Sequence, residues 1–428
     1  MEAGMDASRT DPTRAGTPRA GAPRARAAVP FILVSLGLDT LSMGLLIPVF
    51  PPLIQYFQHG DAAAAGRLLG ILTAAWAVAQ FFGAPIMGAL SDRFGRRPVL
   101  LASILGLGLD YLLMGFAPNL GWLFLGRVLS GFTASSFSVA TAYIADVTPP
   151  EQRAARFGLT GAIWSASFIV GPALGGMLGA VALRLPFFVA AGVTLVAAVY
   201  GLLVLPESLA AEHRAAFRWR KANPVASLGF LASHPELLWL SVVNFLMQFA
   251  HAVLPTLFIL YAGNRYGWSL RVTGPVLALT GVCSLIVQVG LVPRVVAWIG
   301  ELRALIVGLL AGALGLAIYG LAPSGWVFLL GAPVGALLGL FGPGFQAIAT
   351  RRAGVSEQGR LQGANSSIAG LTSMLAPAAF GYLYAWSVGP GRAPALSGAA
   401  FLIAAGLLAL GAAIAAARVA PHGETQAA

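Results

Sequence analysis

Long apolar runs alternate with short polar breaks along nearly the whole chain. The runs fall at 28–54, 67–90, 98–117, 120–144, 156–180, 185–205, 236–262, 270–296, 303–322, 325–350, 361–386 and 394–418. Each can form a helix of roughly 20 apolar residues, the length that crosses a bilayer core. The pattern predicts an all-α integral membrane protein with twelve transmembrane helices in two six-helix bundles. The one long hydrophilic connection, 206–235, divides the runs six and six. The expected organisation is a disordered cytoplasmic tail over 1–27 and a first bundle over 28–205. A central cytoplasmic loop over 206–235, a second bundle over 236–418 and a short tail over 419–428 follow.

Composition fixes the solvent. Of 428 residues, 58% are hydrophobic and only 10% charged, with a mean hydropathy of +0.81. Soluble domains carry about 25% charged residues, so most of this surface must face lipid. The 53 glycines agree, because small residues let membrane helices approach closely. A single cysteine, Cys283, excludes an intrachain disulfide and a thiolate metal site.

The net charge of +11 reads as an orientation signal once it is placed. Arg67, Arg184, Arg265, Arg271 and Arg392 fall on one side, Arg127 lies within a span, and the remaining basic residues share the side of the termini. The positive-inside rule then puts both termini in the cytoplasm. No nucleic-acid partner is expected. No short apolar core with a cleavage site precedes the first run, so no cleaved signal peptide is expected.

The halves repeat at an offset of roughly 205 residues. "GPALGGML" at 171–178 answers to "APAAFGYL" at 376–383, with Pro172 over Pro377 and Gly176 over Gly381. "EQRAARFG" answers to "EQGRLQGA" within one residue of the same offset.

Four groups of residues carry candidate chemistry. The loop "GALSDRFGRR" places Gly88, Asp92, Arg93, Gly95, Arg96 and Arg97 between the second and third spans. Its glycines allow close packing and a sharp turn, and Asp92 can pair with the arginines or cap a helix N-terminus. The expected unit is a breakable charge network of Asp92, Arg93 and Arg97 on the cytoplasmic face. The matching loop of the second half keeps Gly300 but has Ala297 and Trp298 in place of the acid and arginine, so the lock is expected on one side only.

Two acids lie deep in spans: Asp39 at ~12 Å and Asp110 at ~18 Å from the inner ends of their helices, with Arg127 at a depth like that of Asp110. An ionisable group at such depth costs roughly 2.5–3.5 kcal/mol, so it lines a cavity or pairs. The alternatives are proton coupling, with Asp39 the better carrier, and a structural Asp110–Arg127 ion pair. The second half offers no deep acid, so coupling should reside in the first bundle. On the fifth span, Gly161, Gly171, Gly175, Gly176 and Gly179 with Pro172 offer a smooth face and a bend, as generic close packing or as a functional motif.

These motifs resemble the major facilitator superfamily. The loop 88–97 is similar to its signature between helices two and three, and the fifth-helix pattern is similar to the motif of its drug/proton antiporters. "LDTLSMGLLIPVFPPL", "LDYLLMGFAP", "LGRVLSGFTASS", "YIADVTPPEQR", "LPES" and "NRYGW" resemble the tetracycline/proton antiporters of Gram-negative bacteria.

That resemblance implies roles for Asp39, Gln80, Asp92, Arg97, Asp110, Arg127 and Asp146 in transport, with Arg153 beside the gate, and a substrate-proximal Gln288. The family's eighth-helix histidine is Ser284 here, and its ninth-helix aspartate falls at Gly312. Gln248 and His251 on the seventh span complete the expected substrate side, His251 also being readable as a polar lining residue.

The implied function is proton-coupled efflux of a tetracycline-like or other amphipathic drug across the bacterial inner membrane. The proton gradient drives it and no resident cofactor is needed; a tetracycline would travel as a divalent-metal chelate. Expected partners are the small-molecule substrate, protons and membrane lipid, and a monomer is expected. The rivals are transport of an endogenous metabolite and, from another class, an integral-membrane enzyme. The five histidines at 59, 213, 234, 251 and 422 are too scattered for a metal cluster or a nucleophile and base.

Overall fold

A computed structural model describes residues 22–134, 136–209, 212, 214, 235–353 and 357–419. Among the described residues, eleven helices are long and apolar enough to cross a membrane, and one bent pair makes a twelfth crossing. In chain order the crossings are α1 (Pro30–Leu46, continued after a 40° bend by Phe50–Phe57), α2 (Ala62–Phe94), α3 (Arg96–Gly115) and α4 (Leu120–Val147). Then come α5 (Gly158–Val181), α6 (Leu185–Val204), α7 (Leu237–Tyr266) and α8 (Leu270–Ile299). The last are α9 (Glu301–Leu321), α10 (Gly325–Arg352), α11 (Gln358–Ser387) and α12 (Leu396–Val419). Each expected run coincides with a crossing.

Two boundaries differ from expectation. The first helix starts at Ala22, inside the segment expected to be tail, because Ala and Arg are strong helix formers and Pro23 suits a first turn. The first crossing is broken rather than continuous, since Pro51 and Pro52 open a new helix behind Val49. Residues 1–21, most of the central loop and 420–428 lie outside the described residues.

Prolines also explain the irregular turns of the second half. The helices of α7 break between His251 and Val253, α8 holds a π-turn at Val287–Leu291, and α10 a 3-10 turn at Leu337–Leu340. Pro255, Pro293 and Pro343 cannot donate to the carbonyls of His251, Val289 and Gly339, four residues earlier in each case. The helix loosens where that bond is missing.

The bundles repeat the same packing. In the first, α3 lies on α6 and α2 on α4; in the second, α9 lies on α12. The bundles meet through α2 with α11 and α5 with α8. A Cβ on Gly70 would stand 2.5 Å from the Pro377 carbonyl oxygen, and one on Gly274 would stand 2.7 Å from that of Pro172. A Cβ on Gly381 would be 2.5 Å from the Gly66 carbonyl, and one on Gly176 would be 2.6 Å from that of Leu270. These two small-residue clasps use the residues that the repeat aligns, on the face away from the 88–97 loop. Side chains such as Val199, Leu203, Leu310 and Leu314 are exposed on the outside, as lipid requires.

Candidate functional site

The 88–97 loop builds a network, with Arg96 as its hub. Gly95 (φ +105°) turns the chain from α2 into α3. Arg96 then reaches Asp92 with Nη1 at 2.6 Å and Asp146 at the end of α4 with Nε at 3.2 Å. Its Nη1 also donates to Ser91 Oγ at 2.7 Å. Glu207, just past α6, accepts from the backbone N–H of Arg96 at 2.8 Å and of Arg97 at 3.3 Å, capping α3. Ser208 Oγ donates to Asp146 at 3.3 Å, and Tyr143 Oη to the Pro206 carbonyl at 2.7 Å. Loop, α4 and the end of α6 therefore lock together within the first bundle.

Three expectations for this loop are corrected. Arg93 is exposed and stacks over its neighbour Phe94 at 5.1 Å, outside the ion network. Arg97 turns away from Asp92, donating Nη2 to the Leu202 carbonyl at 2.8 Å. Gly88 does not provide close packing, because a Cβ there would meet no atom within 4 Å. Asp146 is in the network as expected, and the side chain of Arg153 lies outside the described residues. Glu207 was missed, although the acid directly after the sixth run in "LPES" was visible.

Nor is the lock one-sided. Arg351 pairs with Glu301 in the second bundle, at the corner that Gly300 (φ +80°) turns. The offset that aligns Gly95 with Gly300 aligns Arg96 with Glu301 and Asp146 with Arg351. The pair is repeated with its charges exchanged. A comparison of the loops alone misses it, because half of each pair sits on the following helix.

The deep charges of the first bundle lie on α1, α3 and α4. Tyr111, next to Asp110 on α3, is 4% exposed. Asp110 is 3% exposed, and neither carboxylate oxygen has a hydrogen bond among the described residues. The neighbouring Ser130 hydroxyl donates instead to the Arg127 carbonyl at 3.2 Å. No Asp110–Arg127 ion pair forms among the described residues. Arg127 stacks over Phe50 at 4.9 Å and Trp76 at 5.3 Å. The purely structural ion pair is thus not what holds these helices. Gln80 lies on α2, its backbone N 3.2 Å from where a Gly131 Cβ would stand on α4.

The fifth-helix motif serves two neighbours. Gly171 and Gly179 pack on α1 at Gly44 and Val49, and Gly175 on the Leu45 carbonyl. Gly176 and the Pro172 carbonyl face α8 at Leu270 and Gly274 in the other bundle. Gly161 does not share that face, because no atom lies within 4 Å of a Cβ there. The helix thereby couples α1, which carries Asp39, to the second bundle.

A cavity of about 650 Å³ opens in the second bundle on the loop side of the clasps. Its wall includes Gln248, His251, Ser284 and Gln288, joined by Thr372 and Ser373. Four of the five expected substrate-side residues therefore meet, while Gln80 remains with the first bundle. The cavity touches all three proline-loosened turns, since His251, Gln288 and Gly339 line it. Irregular backbone offers free carbonyls, and membrane transporters tolerate it where it lines a cavity. The signal for those turns was present in the sequence as Pro255, Pro293 and Pro343. Among the described residues of the wall, His251 is the one ionisable side chain. Gly312 is enclosed: a Cβ would stand 2.9 Å from Leu338 and 3.0 Å from Leu408, so no carboxylate would fit there without repacking.

Comparison with known proteins follows the same lines. The chain is 36% identical over 383 residues to the tetracycline resistance protein, class C, of Escherichia coli, covering 89% of this chain and 94% of that one. It is 29% identical to multidrug resistance protein 2 of Bacillus subtilis (strain 168), covering 82% and 88%. The crystal structure of the nucleoside transporter NupG superposes with a TM-score of 0.75 at 12% identity, covering 91% of this chain and 98% of that one, which speaks for the fold. The sequence profile of the Major Facilitator Superfamily matches residues 32–377. With twelve crossings in two like bundles and a cavity among broken helices, this multi-pass membrane chain is a transporter, not an enzyme, and belongs to the Major Facilitator Superfamily.

Proposed function

We propose that the protein is a proton-coupled antiporter that exports a tetracycline-like or other amphipathic drug across a bacterial inner membrane, with both termini in the cytoplasm. The observation that carries this reading is a division of labour. The deep carboxylates Asp39 and Asp110, with Arg127, lie in the first bundle, and the hydrogen-bonding cavity, with no carboxylate in its described wall, lies in the second. Protonation of an acid on α1 or α3 changes how those helices are solvated and packed. Helix α5 passes that change to α8 through Gly175 and Gly176. With the clasps closed and the cavity on the loop side, the arrangement is the one that faces the cytoplasm.

Amides of Gln248 and Gln288 and the hydroxyls of Ser284, Thr372 and Ser373 suit a rigid molecule rich in keto and hydroxyl groups. A tetracycline, alone or as its divalent-metal chelate, has that chemistry. Ser284 and the enclosed Gly312 favour a second reading, export of a different polyfunctional metabolite. Inverted vesicles under an imposed pH gradient test the proposal: labelled tetracycline should accumulate and collapse the gradient in proportion. Accumulation that ignores the gradient would end the antiport reading. A pH response to another compound alone would replace the substrate.

A further inference from the structure

The gate corner has a second face, turned away from the transport path. Between α3 and α6 a groove of about 450 Å³ opens on the outside of the first bundle. Leu101, Ala102, Leu105 and Leu202 form its apolar length, with Leu105 and Leu202 exposed by 44% and 54%. Its mouth, at the end of the crossing where α3 begins, holds Arg97, Arg214 and Glu207. A polar head above an apolar trough, at the depth of the membrane surface, has the form of a lipid.

Charge selects the kind. The Glu207 carboxylate is already taken up by the backbone N–H groups of Arg96, Arg97, Ser208 and Leu209, leaving it a poor partner for an ammonium headgroup. Arg97 spends Nη2 on the Leu202 carbonyl, but its Nε–H is buried and has no acceptor among the described residues. A buried donor left unmade is costly, so it marks a place for an acceptor. Arg214 comes to the same corner, its Nη2 3.2 Å from the position of a Gly95 Cβ. Two guanidinium groups against one saturated carboxylate favour an anion, and a phosphodiester offers the oxygens that Arg binds best. The repeat does not duplicate the site: Leu302 stands in the second half where Arg97 stands in the first.

We propose that this groove seats an anionic phospholipid, its phosphodiester on Arg97 and Arg214 and one acyl chain along α3 and α6. The lipid then bridges the corner of the gate to the chain after α6, beside the Arg96 hub. The proposal is independent of the transported substrate.

Native mass spectrometry of the delipidated protein with equal amounts of phosphatidylglycerol and phosphatidylethanolamine tests it. Two guanidinium groups, at about 1 kcal/mol each, should give about thirtyfold preferred retention of phosphatidylglycerol. Arg97→Gln and Arg214→Gln should each erode that preference. Ala102→Phe, which fills the trough and leaves both arginines in place, should abolish retention of the preferred lipid. Arg418→Gln, at an arginine stacked on Trp239 at 5.5 Å, should change nothing. Equal retention of the two lipids would overturn the proposal. So would unchanged preference in Arg214→Gln together with Ala102→Phe, both of which leave the hydrogen bonds of Arg97 to Leu202 and Glu207 in place. Displacement of the lipid by millimolar inorganic phosphate would reassign the site to a free anion.

Discussion

At the corner before α3 the first bundle carries Gly95 and Arg96, with Asp146 on α4; the second carries Gly300 and Glu301, with Arg351 on α10. The same offset sets Asp39, Asp110 and Arg127 over Asn244, Gly315 and Ala332. Where Asp110 sits beside Gly126, with its Oδ1 3.0 Å from the position of a Cβ, the second bundle has Gly331, on which a Cβ would stand 2.5 Å from the Tyr319 ring. A Cβ on Gly315 would in turn stand 2.6 Å from the Gly335 Cα. The comparison separates what duplication keeps from what it frees. The positive-φ corner (Gly95 and Gly300), the aligned Pro172 and Pro377 and the clasps survive because backbone geometry depends on them. Charges need only an opposite sign at the right distance, so the pair can invert. The interior charges of the first bundle are replaced in the second by close helix contact.

The largest predicted effect follows from that asymmetry. Asp39→Asn or Asp110→Asn should reduce gradient-driven transport in inverted vesicles to the level of protein-free vesicles, while expression and helicity stay normal. Placing a carboxylate at the matching site, Gly315→Asp, should lower stability without restoring coupling, because the Gly335 backbone leaves no room. Near-normal uphill transport by Asp110→Asn would end the assignment of coupling to the first bundle.

The clasps should respond alike. Gly176→Leu and Gly381→Leu each drive a side chain into a backbone carbonyl of the partner bundle. Overpacking costs about 1–3 kcal/mol, enough to shift two states of similar energy by roughly 5- to 150-fold. Labelling of cysteines placed on the clasp face should accelerate in both variants. Gly192→Leu should have no effect, since no atom lies within 4 Å of a Cβ there. A response from only one of the clasps would break the symmetry between them.

The sequence makes the fold and the depth of Asp39, Asp110 and Arg127 legible, because run length and charge scarcity in lipid leave few alternatives. The resemblance to antiporters supplies the grouping of Gln248, His251, Ser284 and Gln288, which the cavity brings together. Other features are illegible for physical reasons. The hub role of Arg96 over Arg93 and Arg97 depends on side-chain direction at a turn. Glu207 acts through backbone N–H groups that no motif encodes. The reversed pair Glu301–Arg351 joins residues that are far apart in sequence. The cavity's shape comes from prolines whose effect is felt four residues earlier, so the signal and the site carry different residue numbers.

The smallest predicted effect sharpens the comparison of the two locks. Arg96 has a side chain only 12% exposed and meets Asp92, Asp146 and Ser91, whereas Arg351 is 66% exposed and meets Glu301. An exposed ion pair contributes about 0.2–1 kcal/mol and is screened by salt, so Arg351→Gln should change labelling of loop-face cysteines by no more than about fivefold. That change should vanish near 1 M salt, where the Debye length is about 3 Å. Arg96→Gln removes a hydrogen-bonded, partly buried hub and should produce a larger shift that persists in salt. Inverting the second pair, with Glu301→Arg and Arg351→Glu together, should restore the parent's behaviour, while Glu301→Arg alone should not. The inverted pair would then match the polarity of the first bundle, and its neutrality would show that the sign of each lock is free. If Arg351→Gln disturbs the loop face as strongly as Arg96→Gln, the two corners are equal gates, and burial does not set their rank.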